Sequence, residues 1–175
     1  ANEGDQVEII LHETPFYAER GGQMGDAGIV ASDGVEVEIT DTQNSYSQVN
    51  VHTAVIKSGA VHVGDSVAAT VNEERRERIR RNHTATHLVH SALRQVLGTH
   101  VRQTGSLVAP DRLRFDFTHV AAMTPDEIRQ VQDIVNDKIR ENHDVIVEWS
   151  SYREAIDRGA LAFFGDKYED TVRLV

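Results

Sequence analysis

Residues 75–98, RRERIRRNHTATHLVHSALRQVLG, constrain the chain more than any other stretch. No proline or glycine interrupts it before Gly98, a suitable residue just past a helix end. Ala85, Val89, Ala92, Leu93 and Val96 recur at helical spacing, which predicts one long amphipathic helix beginning between Val71 and Glu74. A step of about 100° per residue brings His83, His87 and His90 within about 60° of one another, on the shoulder of the apolar face. Arg76 and Arg94 extend the same stripe at its ends. His83 and His87 are four apart, so both imidazoles can face one ion, a spacing that zinc sites use. Thr84 follows the first histidine where the zincin proteases need a glutamate base, which excludes that chemistry. On spacing alone, two partly buried polar histidines are the favoured reading, because zinc normally takes at least three protein ligands. His90 addresses a different turn from His83. Arg75, Arg76, Arg78, Arg80 and Arg81 circle the helix start among Glu73, Glu74 and Glu77. That cluster is either a solvated helix start or a contact for phosphate backbone, and composition does not choose between them.

A chain of 175 residues suffices for one domain or two small ones. Its net charge of −10 is unevenly spread. Residues 1–74 hold 13 acidic and 2 basic side chains, whereas residues 75–175 hold 15 and 16. The asymmetry suggests two units, 1–74 and 75–175, with different partners, against the alternative that the acidic first half is simply a solubilising surface. With no cysteine, a disulfide framework and a thiolate metal site within the chain are excluded. No apolar run reaches the roughly 18 residues of a membrane span, and no signal-peptide pattern is present, so no membrane association is expected and the expected compartment is the cytoplasm.

Ahead of the helix, residues 19–28 place four glycines in ten positions after Pro15, a loop whose backbone shape matters more than its hydrophobicity. No Lys-Ser/Thr follows the glycines, so the loop is not a Walker phosphate cradle. VEIIL, GIVAS, VEVEIT, VNVHTAVI and SVAATV, with turns at Asp33-Gly34, Gly59 and Gly64-Asp65, predict several short strands and a small antiparallel barrel. His52 and His62 lie in or beside these strands, as surface or hydrogen-bonded histidines rather than ligands. Beyond Gly98, two strands are expected around a turn at Ala109-Pro110-Asp111. A helix opened by Thr124-Pro125-Asp126-Glu127 follows, with Ile128, Val131, Ile134, Val135 and Ile139 as its buried stripe. A strand at 145–149, a short helix over 151–158 and a strand from Thr171 complete an α+β chain, expected to continue past Val175.

Five ordered motifs are less generic. TPFYAERGGQMGD at 14–26, NHTATHL at 82–88, GTHVRQTGSL at 98–107, LRFDF at 113–117 and GALAFFGDKY at 159–168 resemble the editing region of bacterial alanyl-tRNA synthetases. Free-standing alanyl editing proteins and the threonyl-tRNA synthetase editing domain share part of this pattern. The resemblance implies a small β-barrel followed by an α+β editing domain that hydrolyses Ser-tRNA(Ala) and Gly-tRNA(Ala). Its partners would be tRNA(Ala) and the rest of a synthetase chain, to which ATP binding would belong. It implies that His83 and His87 are two of four zinc ligands, the others coming from a Cys-x-x-x-His motif beyond Val175. Thr14 and Gln103 would line the catalytic pocket, Thr14 helping to tell serine from alanine. Arg75, Arg76, Arg80 and Arg81 are expected tRNA contacts, on charge. The alternatives are a free-standing trans-editing deacylase and a non-catalytic tRNA-binding module.

Overall fold

Alternation of valine and isoleucine with polar residues puts one face of each early strand inward, and five such strands pair into one antiparallel sheet. In the computed structural model, which describes residues 1–45, 49–160 and 169–175, these are β1 (Gln6–Ile9), β2 (Gly28–Ser32), β3 (Val35–Asn44), β4 (Asn50–Ser58) and β5 (Ala68–Val71). Their order is β1-β4-β3-β2-β5. Next come α1 (Glu73–Leu97), β6 (Gln103–Val108), β7 (Leu113–Phe117), α2 (Pro125–Glu141), β8 (Glu148–Ser151), α3 (Tyr152–Asp157) and β9 (Thr171–Leu174). The chain divides into two compact units, Ala1–His87 with Gly105–Asp116, and Leu88–Thr104 with Phe117–Val175.

In the first unit the sheet buries Val30, Val37, Ile39, Ala54 and Ile56 around Phe16. The expected barrel does not form among the described residues. β1 and β5 are four-residue edge strands, each paired on one side only, so the sheet stays open. One irregularity matters for the site. Ile39 pairs with Ala54 and Asp41 with Thr53, which leaves Thr40 as an extra residue on β3. Such a bulge reverses which side chains face inward. Val37 and Ile39 point in before it, and Thr42 points in after it, opposite the fully buried His52.

In the second unit, Arg94 of α1 donates through Nη1 to the carbonyls of Thr99 and Val101, both at 2.8 Å. His100 and His119 stack with centroids 5.2 Å apart. α2 has the capping box that its sequence predicts. The Thr124 hydroxyl accepts from Glu127 N–H at 3.2 Å, and Glu127 Oε2 accepts from Thr124 N–H at 2.7 Å. That N–H and then the Thr124 hydroxyl, which donates to Glu127 Oε2 at 2.9 Å, hold the Glu127 carboxyl below its ordinary pKa of 4.5. A carboxylate favoured in the folded state stabilises above its ordinary pKa and loses that contribution as pH falls through the folded value. Thr124→Ala is therefore expected to speed first-turn amide exchange of α2 roughly fivefold at neutral pH, a typical N-cap effect, with the difference shrinking below pH 4.

Two expectations fail here. None of Ile128, Val131, Ile134, Val135 and Ile139 is buried; Ile128 and Ile139 are 51% and 53% exposed and the other three half-buried, because the described residues cover that face only in part. The strand expected at 145–149 begins only at Glu148, because β9 reaches no further than the Glu148–Leu174 pair; Val145 to Val147 remain exposed. Of the GALAFFGDKY motif, positions 161–168 lie outside the described residues. Among the described residues no helix is long and apolar enough to cross a membrane.

Candidate functional site

The glycine-rich loop is fixed to the sheet by the inward-turned Thr42. Its hydroxyl donates to the Asp26 carbonyl at 2.9 Å, and its own carbonyl accepts from Glu19 N–H at 2.9 Å. Gly25 lies so close to this strand that a Cβ there would stand 2.1 Å from the Thr42 carbonyl oxygen. On its other side the loop meets β6: Val108 N–H donates to the Gly22 carbonyl at 2.7 Å, and Met24 N–H to the Val108 carbonyl at 3.1 Å. Gly22 adopts φ +84°, a left-handed conformation that suits glycine.

The loop is also tied to the start of α1. Asp26, 2% exposed, accepts from Tyr17 N–H at 2.7 Å, from Arg76 Nε at 3.1 Å and from an Arg76 terminal nitrogen. Arg76 further donates to the Pro15 carbonyl at 2.7 Å, and Arg75 to the Gly25 carbonyl at 2.7 Å. These bonds hold the loop against the first turn of the helix that bears the histidines.

About two turns further along, Gln23 Oε1 lies 2.6 Å from His83 Nδ1. An amide oxygen only accepts, so Nδ1 carries the proton and Nε2 is the basic nitrogen of the neutral ring. Histidines that hold metals use this arrangement: one nitrogen donates to a neighbouring oxygen and the other ligates. The His83 and His87 rings stack 5.2 Å apart at 12°. His87 is more than a third exposed, yet its imidazolium loses enough hydration beside the helix to draw its pKa below 6.5. Both rings can thus present a neutral imidazole, which fits half of a zinc donor set; among the described residues no group of three or more His, Asp or Glu could hold an ion.

The His87 shift has a consequence for stability. Below pH 6.5 the unfolded chain protonates this imidazole before the folded chain does, so stability falls as pH falls. His87→Gln is expected to lose less denaturation midpoint than the unsubstituted protein between pH 7.5 and 5.5. An equal drop in both would refute the linkage.

Thr14 sits half-buried in the first unit, its Oγ1 2.8 Å from His52 Nε2 and accepting from Phe16 N–H at 3.2 Å. The structure therefore places Thr14, His83 and His87 in one unit. Gln103 opens β6 and belongs to the second. Of the four arginines, Arg75 and Arg76 are the loop ties just described, Arg80 pairs with Glu77, and Arg81 is exposed with no ion pair among the described residues. Sequence reading gave no individual role to Gln23, Asp26 or Thr42, and of His52 it expected a surface or hydrogen-bonded histidine, of which the structure shows the hydrogen-bonded form, fully buried. Gln23 and Asp26 stood within a quoted motif, but their partners lie 60 and 50 residues away, beyond any local spacing rule.

Comparison with known proteins agrees with the motifs. A family model described as class II (A) tRNA synthetases matches residues 1–75. Alanine–tRNA ligase of Rhodopseudomonas palustris is 50% identical over 98% of this chain and 19% of its own length. Those of Shewanella loihica and Acetivibrio thermocellus are 49% and 51% identical over 99% and 100% of the chain, and 20% of their own lengths. The chain thus spans about one fifth of the length of the curated relatives it matches. With half its residues shared along essentially its whole length, the chain belongs to the alanine–tRNA ligase family.

Proposed function

We propose that this segment is the editing part of an alanine–tRNA ligase and hydrolyses the ester of Ser-tRNA(Ala) and Gly-tRNA(Ala). The need is physical: a pocket shaped for alanine cannot strongly reject a smaller side chain, or one that merely adds a hydroxyl, so a second, hydrolytic site supplies the discrimination. The observation that carries the reading is the Gln23–His83 hydrogen bond. It joins the glycine-rich loop, which belongs to the same 14–26 motif as Thr14, to the paired imidazoles on α1.

In this reading His83 and His87 hold a zinc ion whose two remaining donors come from a Cys-x-x-x-His segment beyond Val175. When bound, zinc supplies positive charge that anchors or polarises the aminoacyl ester. The chain's own residues set the geometry. Gln23 fixes the tautomer of His83, and the Asp26–Arg76 pair holds the loop in register with the helix. Thr14 offers its hydroxyl to the substrate side chain, and Gln103 stands as a pocket residue on the resemblance alone. A water oxygen bonds to the ester carbonyl carbon, the bond to the ribose oxygen breaks, and the ribose hydroxyl leaves with a proton. The exposed Arg80 and Arg81 are the tRNA-facing cations.

Zinc content and Ser-tRNA(Ala) deacylation, measured on this chain and on the chain continued through the expected Cys-x-x-x-His segment, test the reading. The longer form should bind one zinc and hydrolyse the ester, and His83→Ala should lower the rate at least ~100-fold, as removal of a group essential to the step does. A longer form that binds zinc no better, or leaves Ser-tRNA(Ala) intact, would show a non-catalytic module instead.

A further inference from the structure

Resting on the editing reading above, we infer that His52 is a positioning residue for Thr14. Its buried imidazole aims the Thr14 hydroxyl so that this threonine meets a ligand as a hydrogen-bond acceptor only, which selects an aminoacyl group carrying an O–H donor.

The direction of the network follows from its fixed end. His52 is fully buried on β4, where Nδ1 lies 2.8 Å from the carbonyl oxygen of Ile9. A carbonyl cannot donate, so Nδ1 carries the proton, and in the neutral ring Nε2 is left with a lone pair. The Thr14 hydroxyl, 2.8 Å from that nitrogen, must then donate its only proton to it. Phe16 N–H fills one acceptor position on Oγ1 at 3.2 Å. What remains toward the half-exposed side is one lone pair. Phe16 also packs edge-on to the imidazole, centroids 5.4 Å apart at 68°. Turning the ring over would put carbon where both nitrogens now bond and break both contacts, so the buried ring has one favoured setting.

The chemistry this gives Thr14 is selective. A seryl hydroxyl donates to Oγ1; an alanyl methyl has no donor to offer; a glycyl group presents no side chain to read. The hydroxyl of a threonine with a free rotor could serve as donor or acceptor, whereas here the donor function is spent inside the sheet. His52 thus acts on the recognition of serine and not on the ester chemistry common to both substrates.

Two substitutions separate this from a packing role. His52→Asn keeps a donor near the Nδ1 position for Ile9 but offers Thr14 no acceptor; His52→Gln places an amide oxygen near the Nε2 position. On the longer form described above, His52→Asn should lower kcat/KM for Ser-tRNA(Ala) roughly tenfold, the typical worth of one hydrogen bond, and change Gly-tRNA(Ala) by less than about twofold. His52→Gln should recover most of the seryl activity. Equal losses on both esters, or no loss in His52→Asn, would overturn the assignment while leaving the editing reading intact. Long-range proton–nitrogen NMR correlations of the unsubstituted chain should show a protonated Nδ1 and a bare Nε2 at His52, and the reverse tautomer would also overturn it. Hydrolysis of neither ester by the unsubstituted longer form would instead sink the editing reading, and the selection for serine with it.

Discussion

Asp26→Ala is expected to destabilise the first unit by about 3 kcal/mol, read from denaturant unfolding of the purified chain. The carboxylate is almost fully enclosed and accepts from three nitrogens, one on Tyr17 and two on Arg76. Its removal leaves a guanidinium and a backbone N–H beside a hole that the alanine methyl does not fill. Breaking a buried pair by removing one partner typically costs about 3–5 kcal/mol, because the surviving charge is left uncompensated. The lower end applies here, because the Arg76 side chain is 35% exposed and regains water. The complementary variant, Arg76→Met, strands the better-buried partner and should cost at least as much. If Asp26→Ala shifts stability by less than about 1 kcal/mol, in the range of surface pairs, the tie between loop and helix is not the structural element described.

That tie also marks where sequence reading reached its limit. The long helix was legible because its apolar and histidine positions repeat within a few residues, and it runs from Glu73 to Leu97 as the pattern requires. The capping box at Thr124 was legible for the same reason: both partners lie within three residues. The open sheet was not. Strand spacing tells how many strands there are, but whether β1 meets β5 depends on edge pairing that no local pattern encodes. The exposed face of α2 shows the converse: an amphipathic stripe states which face needs cover, not what covers it. In the candidate site, His83 and His87 were picked out as a pair by their mutual spacing, while their assignment as ligands rests on the resemblance. Gln23, Thr42 and His52 were not, because each acquires its role from a partner 16 to 60 residues away. The bulge at Thr40 is the hinge of that difference. It turns Thr42 inward, where simple alternation from Val35, Val37 and Ile39 would have pointed Asp41.

Gly25→Ala is expected to be as damaging as Asp26→Ala, for a steric rather than an electrostatic reason. The added Cβ would meet the Thr42 carbonyl oxygen at 2.1 Å, Asp41 Oδ1 at 2.8 Å and Thr42 N at 2.9 Å. Two of these three atoms are backbone in the middle of a paired strand, so neither can swing aside as a side chain would. Either β3 or the loop must move. Overpacking of this kind commonly costs about 1–3 kcal/mol, and the fixed backbone puts this position at the top of that range. The loop is the weaker partner, and its retreat would break the Thr42–Asp26 hydrogen bond first and then loosen the Asp26 carboxylate from Tyr17 and Arg76. The two substitutions therefore act on one tie and should not add. Gly25→Ala with Asp26→Ala should cost at least 1 kcal/mol less than the sum of the single variants, within the range of couplings measured between residues that share partners. Full additivity in denaturant unfolding would mean that the steric seat on Thr42 and the ion pair with Arg76 hold separate parts of the loop. Gln23 and Thr14 would then have to owe their positions to only one of them.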